Sequence, residues 1–392
     1  MRVCHVSPHL PPDQAANALL PAELGAWAHA RGNAVTYVAH APAQGRPAID
    51  LPSGRIWRIP RKSGDTGLRR LLRLDSLQQA RVISAALESA ARDADLLHLH
   101  SNGLIIEVAA AWAARRNLPY VLTLYGTEIW HFKPRWPVDP FARAYRRAAE
   151  VTFYSRRLME RAREVGLDRP GLGVVYPTVS AAFRPLDAEA RARVRAGLGV
   201  TEPRLVLNVK RLHELAGQKY LIEAFARVAR DRSDVRLVIC GAGPLREALE
   251  TQVRTAGVAQ KVTFTGLVDN DTVARYAAAA DVFVLPSLLE ALPTVAVEAL
   301  ACGTPVISAD HPGGLELNEL FGEDVLIVPR TNVDGLTTAL VDAVDAPQRV
   351  RTATLDLVHR HFGQAAVEAA YQAVYARVPS APPATRAKAD GQ

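Results

Sequence analysis

The chain has 392 residues, 49% of them apolar, and a formal net charge of +7. That length exceeds one ordinary hydrophobic core and points to two domains, while the apolar content excludes wholesale disorder. The longest apolar runs, such as Val282 to Leu285, are far too short to span a bilayer, and the odd set Cys4, Cys240 and Cys302 offers neither a disulfide framework nor metal-ligand spacing.

The N-terminus, MRVCHVSP, reads as a strand over Val3 to Val6 and lacks a charged, apolar and cleavable leader, which predicts a cytoplasmic protein. Further short apolar runs follow at Ala34 to Ala39, Ile56 to Ile59, Leu96 to Leu99, Tyr120 to Leu124 and Val151 to Tyr154. Helical periodicity separates them near 18–31, 76–93, 104–116, 140–149 and 155–165. This alternation predicts a parallel, doubly wound sheet with ligands at the carboxyl ends of its strands. The Pro-containing stretch Tyr176 to Pro185 reads as a linker, with a polar helix from Asp187 to Ala196 after it. A second series then runs through Leu205 to Val209, Val235 to Ile239, Val262 to Thr265, Val282 to Leu285, Val306 to Ser308 and Val325 to Val328. The expected organisation is a first domain over 1–183, a second over 184–362, a closing helix over 363–378 and a disordered tail over 379–392.

The stretch Pro286 to Ala309 carries Glu290 on a loop after a strand and Glu298 about one turn inside the next helix. Unpaired N–H groups at a helix start attract anions, and a carboxylate accepts two hydrogen bonds from a diol. Phosphate at the helix mouth and a diol deeper in suit a nucleotide sugar. Gly241-Ala242-Gly243-Pro244 lets the backbone approach a phosphate or base, but Arg246 stands where a dinucleotide fingerprint needs its third glycine, which disfavours an NAD site. Asp269-Asn270-Asp271 precedes a helix and reads as an N-cap cluster, and no metal is assigned. His98 and His100 point to one face of a strand, and a metal there would need further ligands that the sequence does not show. Arginines cluster at Arg69, Arg70, Arg73 and at Arg156, Arg157, Arg161, Arg163. They read as solvated helix faces, with an anionic substrate or peripheral contact with an anionic membrane as the functional alternatives. Without interleaved aromatics they do not read as a nucleic-acid surface.

Ser287, Glu290, Ala291, Leu292, Pro293 and Glu298-Ala299-Leu300-Ala301-Cys302-Gly303-Thr304-Pro305-Val306 together resemble the paired-glutamate signature of the family 4 retaining glycosyltransferases. The resemblance implies an α/β protein of the GT-B type, two Rossmann-like doubly wound domains facing an interdomain cleft, with the last helix packed back on the first domain. It further implies a donor site on the second domain that includes Gly241, Gly243, Val268, Glu290, Ala291, Leu292, Pro293, Thr294 and Glu298, with Ala15 and Ala16 added from the first. Arg211 matches the family's diphosphate-binding arginine. The family's partner lysine is replaced by Ala216, leaving Lys210 and Lys219 as alternative substitutes. Asp310 to Glu316 resembles the family's Gly-Gly turn, with Glu316 one place early. Leu124 to Glu128 resembles the His-Gly-x-Asp stretch, with Tyr125 for His and Glu128 for Asp. His100, Tyr125 and Glu128 are thus expected on the acceptor side, Tyr125 either bonding a sugar or covering the sheet end. The implied activity is retaining transfer from a nucleoside-diphosphate sugar to a hydroxyl acceptor, without metal or cofactor. A non-catalytic nucleotide-sugar binder and a sugar epimerase are the competing readings.

Overall fold

A computed structural model describes residues 1–13, 16–42, 47–61, 74–135 and 137–379. Two compact units emerge, one of Met1–Val175 joined by the chain from Glu368 onward, the other of Tyr176–Val367. Ala15, Arg69, Arg70, Arg73 and the tail beyond Pro379 lie outside the described residues.

The first unit is a seven-stranded sheet. Its elements are β1 (Arg2–Ser7), α1 (Ala16–Ala30), β2 (Ala34–His40), β3 (Gly54–Ile59), α2 (Leu74–Ala90), β4 (Leu96–His100), α3 (Leu104–Arg115), β5 (Tyr120–Leu124), α4 (Thr127–Trp130), α5 (Pro140–Arg147), β6 (Glu150–Phe153), α6 (Arg156–Glu164) and β7 (Leu172–Val174). All its strand pairs are parallel, in the order β3-β2-β1-β4-β5-β6-β7. Strands β4 and β5 are buried at every residue, as sheets covered on both faces require. The packing of α3 shows how the cover forms. Ile105, Ile106, Ala109, Ala110, Trp112 and Ala113 recur at helical spacing and are buried. Trp112 donates its indole N–H to Glu88 of α2 at 3.0 Å, so its polar atom is satisfied. Burying a large apolar side chain of this kind stabilises by roughly 1.5–3 kcal/mol. The final helix, α15 (Gln364–Arg377), brings Tyr371 and Tyr375 against His98, and Arg377 against Glu150 at 2.9 Å.

The second unit is a six-stranded parallel sheet. It contains α7 (Ala188–Gly197), β8 (Arg204–Val209), α8 (Gln218–Ala229), β9 (Val235–Cys240), α9 (Arg246–Thr255), β10 (Val262–Gly266), α10 (Asn270–Ala279), β11 (Val282–Leu285), α11 (Thr294–Ala301), β12 (Val306–Ala309), α12 (Pro312–Phe321), β13 (Val325–Val328), α13 (Val333–Asp345) and α14 (Thr352–Phe362), after which α15 begins. The order is β10-β9-β8-β11-β12-β13. Alternate strand residues feed two cores. Leu207, Phe283 and Leu285 face α10, α11 and α14, while Val206, Val284 and Ile307 face α8, α9 and α13. Asp281 is buried just ahead of β11, where it accepts from Arg191 at 2.5 Å, Arg195 at 2.6 Å and the Leu205 N–H at 2.7 Å.

In both sheets the winding reverses beside the first strand, at β1/β4 and at β8/β11. The structure departs from the sequence reading in detail. Segment 176–185 is not a free linker: Val179 and Phe183 are buried in the second unit's core, and Val179 bridges Gly363. The edge strand β7 and the short α4 are additions, both below the length at which periodicity is legible. Arg161 and Arg163 pair with Glu164 and Asp168, as expected of a solvated helix face. Among the described residues, no helix is long and apolar enough to cross a membrane.

Candidate active site

At the carboxyl end of β8 the chain turns through Lys210 and Arg211. The Lys210 ammonium lies 2.6 Å from a Glu290 carboxylate oxygen, and both side chains are largely shielded. Arg211 is exposed beside them, and among the described residues no carboxylate is paired with it. Lys219 points elsewhere. Its ammonium is half exposed, 3.9 Å from Glu214 and 5.0 Å above the Tyr220 ring. The two lysines left open by the sequence are therefore inequivalent: Lys210 joins Glu290, and Lys219, in the first turn of α8, faces Glu214. Ala216, at the missing lysine's place, is fully buried.

Close backbone contacts hold this edge together. Gly217 has φ 69°, and a Cβ there would fall 2.0 Å from the Pro286 carbonyl oxygen. The Leu288 N–H donates to Leu215 O at 2.8 Å, tying the loop after β8 to the glutamate loop. A Cβ on Gly241 would fall 2.0 Å from Lys210 O, and one on Gly243 would fall 2.2 Å from Leu212 O. The protein's own backbone thus accounts for the need for both glycines, where the sequence reading invoked a ligand. Val268 is partly buried against the same core as α10. Asp269 accepts from Thr272 N at 2.7 Å and caps α10, in keeping with an N-cap cluster.

The glutamate loop leads into α11. Leu292 and Pro293 are buried, Ala291 and Thr294 half-buried. The Gly313 N–H donates to Glu290 O at 3.0 Å, and a Cβ on Gly313 would meet Ala291 O at 2.9 Å. His311 accepts from Gly314 N at 2.9 Å through Nδ1, and burial pushes its pKa down to about 4. Glu316 is fully buried and accepts from the Tyr176 hydroxyl at 2.9 Å, which gives it a place inside the second unit. Ser287 Oγ is buried without a hydrogen-bond partner among the described residues. Glu298 retains partial access to solvent, yet burial pushes its carboxyl up to about 7. A carboxylate so poorly solvated is ready to accept hydroxyl donors.

In the first unit Ala16 opens α1. Glu128 is buried and accepts from the N–H groups of Gly126 at 2.7 Å and Tyr125 at 3.3 Å. Its carboxylate is engaged in holding the turn after β5, where the sequence placed it toward an acceptor. The sequence also missed a third imidazole. Register sets His5 of β1 opposite His98 of β4, and ligand-capable nitrogens of His5, His98 and His100 lie within 4.8 Å of one another. The signal was available, since a His in the first strand adjoins the fourth in a doubly wound order. His5 thus supplies beside His98 and His100 a further ligand-capable nitrogen that the sequence did not show. The arrangement itself is a hydrogen-bonded stack. His98 and His100 stack at 4.0 Å between centroids, and His98 has both nitrogens engaged, with the Tyr375 hydroxyl at 2.8 Å and Thr123 Oγ1 at 2.7 Å. Burial pushes His5 down to about 3 and holds His98 and His100 well below the usual imidazole range. All three are neutral at pH 7.

Residues 21–178 match the family described as glycosyl transferase 4-like domain, and residues 191–353 the family described as glycosyl transferases group 1. The 2-deoxystreptamine N-acetyl-D-glucosaminyltransferase of Streptomyces fradiae is 31% identical over 354 residues, covering 84% of this chain and 83% of that one. The GDP-mannose-dependent alpha-(1-6)-phosphatidylinositol monomannoside mannosyltransferase of Mycolicibacterium smegmatis is 34% identical over 239 residues, 58% of this chain and 62% of the relative. This second match thus spans less than two thirds of the relative's length. Among solved structures, a sucrose-phosphate synthase from Thermosynechococcus elongatus superposes with a TM-score of 0.77 at 21% identity, covering 96% of this chain and 98% of that one. Anabaena HepE in complex with UDP and glucose gives 0.74 at 18% identity, covering 96% and 99%. At these identities the likeness is one of fold.

Proposed function

This chain belongs to the glycosyl transferases group 1 family and has the GT-B fold, and on that premise we propose that it moves a sugar from a nucleoside-diphosphate sugar to a hydroxyl acceptor with retention of anomeric configuration. The observation that carries the reading is the Lys210–Glu290 pair beside Arg211 at the switch point of the second sheet. Lys210 has three N–H donors, so it can keep Glu290 and still meet a phosphate. Lys210 and Arg211 offset charge on the departing diphosphate, the largest electrostatic demand of such a reaction. Glu290 and the backbone after it hold donor-sugar hydroxyls. Glu298 accepts the ribose diol. The acceptor attacks from the face that the diphosphate leaves, and a diphosphate oxygen takes its proton. The protein's contribution is positioning and charge stabilisation, in keeping with a site that offers no nucleophile–base pair among the described residues.

The test is a panel of GDP- and UDP-linked sugars against acceptors that include 2-deoxystreptamine and a phosphatidylinositol mannoside, the acceptors named for the relatives. Nucleoside diphosphate release should require acceptor, and proton NMR of the product should show the donor's anomeric configuration. Release without acceptor would favour an epimerase or a hydrolase, and inverted product would refute front-face displacement.

A further inference from the structure

The loop that carries Glu290 is held from outside. From Ser287 to Leu292, among the described residues, the backbone hydrogen bonds all run to segments distant in the chain. The Leu288 N–H donates to Leu215 O at 2.8 Å, and Glu290 O accepts from the Gly313 N–H at 3.0 Å. The third tie comes from a side chain: Arg330 Nη1 donates to Leu288 O at 3.3 Å. With no regular ladder to fix the segment, these bonds set where its backbone lies.

Arg330 is itself aimed by a neighbour. It follows β13 as Asp310 follows β12, and the parallel register sets Ala309 opposite Val328. The Asp310 N–H donates to Val328 O at 3.1 Å. In return Asp310 Oδ1 accepts from the Arg330 N–H at 2.8 Å and from its Nε at 2.9 Å. One carboxylate oxygen thus fixes the guanidinium while Nη1 meets the loop. The brace stands in the neighbourhood of the Lys210–Glu290 pair: besides burial, the charges of Glu290, Lys210, Arg330 and Asp310 all act on the His311 imidazole. The planar fork serves two acceptors with separate nitrogens, a geometry that the flexible point charge of a lysine does not reproduce. We infer that Arg330 is a positioning residue for sugar transfer: braced by Asp310, it holds Leu288 O and so fixes the loop that sets Glu290 beside Lys210. That Glu290 meets the donor sugar rests on the transferase reading above, whereas the brace does not.

The experiment has two arms. The first is amide hydrogen exchange of the whole, substrate-free protein. In Arg330→Ala the Leu288 and Gly313 amides should exchange about fivefold faster or more, because the loop they tie opens more often. Asp310→Ala, which frees the guanidinium to turn away, should loosen the same two amides. Exchange across α9 should stay at wild-type rates, which separates loss of the brace from loss of the fold. The second arm is steady-state kinetics. Arg330→Ala should lower turnover about tenfold, yet by less than about twofold when Glu290 is already Gln, because residues that act through one contact are not additive. Arg330→Lys should not restore turnover. Unchanged exchange in Arg330→Ala overturns the brace. Equal losses with Glu290 and with Gln at that position overturn its link to Glu290, and rescue by lysine would assign Arg330 a role by charge alone. A wild type that transfers no sugar refutes the transferase reading, and the exchange arm still decides whether Arg330 holds the loop.

Discussion

Replacing Glu298 by Gln should abolish a pH dependence of nucleotide affinity that the wild type carries. Burial raises this carboxyl from 4.5 to about 7, so ionising it in the free protein costs about 3 kcal/mol relative to water. If the carboxylate is the form that accepts the ribose diol, binding must wait for deprotonation. With a value near 7, about a tenth of the molecules are ionised at pH 6 and about nine tenths at pH 8. Affinity through this group should therefore rise about tenfold across that interval, equivalent to ~1.4 kcal/mol. The nucleotide's own terminal phosphate titrates near pH 6, so the quantity to compare is the wild type against Glu298→Gln with the same nucleoside diphosphate. Calorimetric titration at pH 6, 7 and 8 in two buffers of different ionisation enthalpy supplies both the affinity ratio and the proton count. The wild type should release a proton on binding at pH 6 in excess of the variant. The same shift has a stability consequence. The folded-state value lies above the unfolded one, so the native state holds its proton more tightly. This contribution to stability is greatest below about pH 4.5, falls as pH rises toward 7, and is flat beyond. Parallel affinity profiles for wild type and Glu298→Gln would refute the reasoning and return Glu298 to a bystander carboxylate.

Three further outcomes follow from the geometry. Lys210→Ala should lower turnover by roughly tenfold or more, about 1.4 kcal/mol in the barrier, while Lys219→Ala stays near wild type, because only Lys210 stands beside Glu290. Steady-state kinetics on both variants and the double would refute this if Lys219 carried the larger effect. Transfer should persist in EDTA, since Arg211 and Lys210 supply the cationic role that a metal would otherwise fill. Loss of activity restored by zinc would point to the His5, His98 and His100 cluster, and loss restored by magnesium to Asp269-Asn270-Asp271. Asp281→Ala should destabilise the second unit by about 3–5 kcal/mol, because it strands Arg191 and Arg195 at a buried site. Urea denaturation followed by circular dichroism checks it, and a change below about 1 kcal/mol would mean that solvent rescues both guanidiniums.

The sequence alone suffices for the two series of strands and helices and for the loop-to-helix placement of Glu290 and Glu298. These are local properties, since period, Pro and Gly positions and run length all act within a few residues. It also gave the N-cap role of Asp269, for the same reason. Folding sets Lys210, and not Lys219, beside Glu290, because that contact depends on how the loop after β8 meets the loop after β11, residues far apart in the chain. It also buries Glu128 against the backbone of the turn after β5, since burial is a property of the surroundings and not of the residue. It set His5 opposite His98 and within reach of His100 across the switch point, a juxtaposition about which neither stretch carries local information. Gly241 and Gly243 show the division most plainly. Their positions were legible as a tight turn, but the atoms that forbid a side chain, Lys210 O and Leu212 O, belong to the loop after β8, which only folding brings alongside.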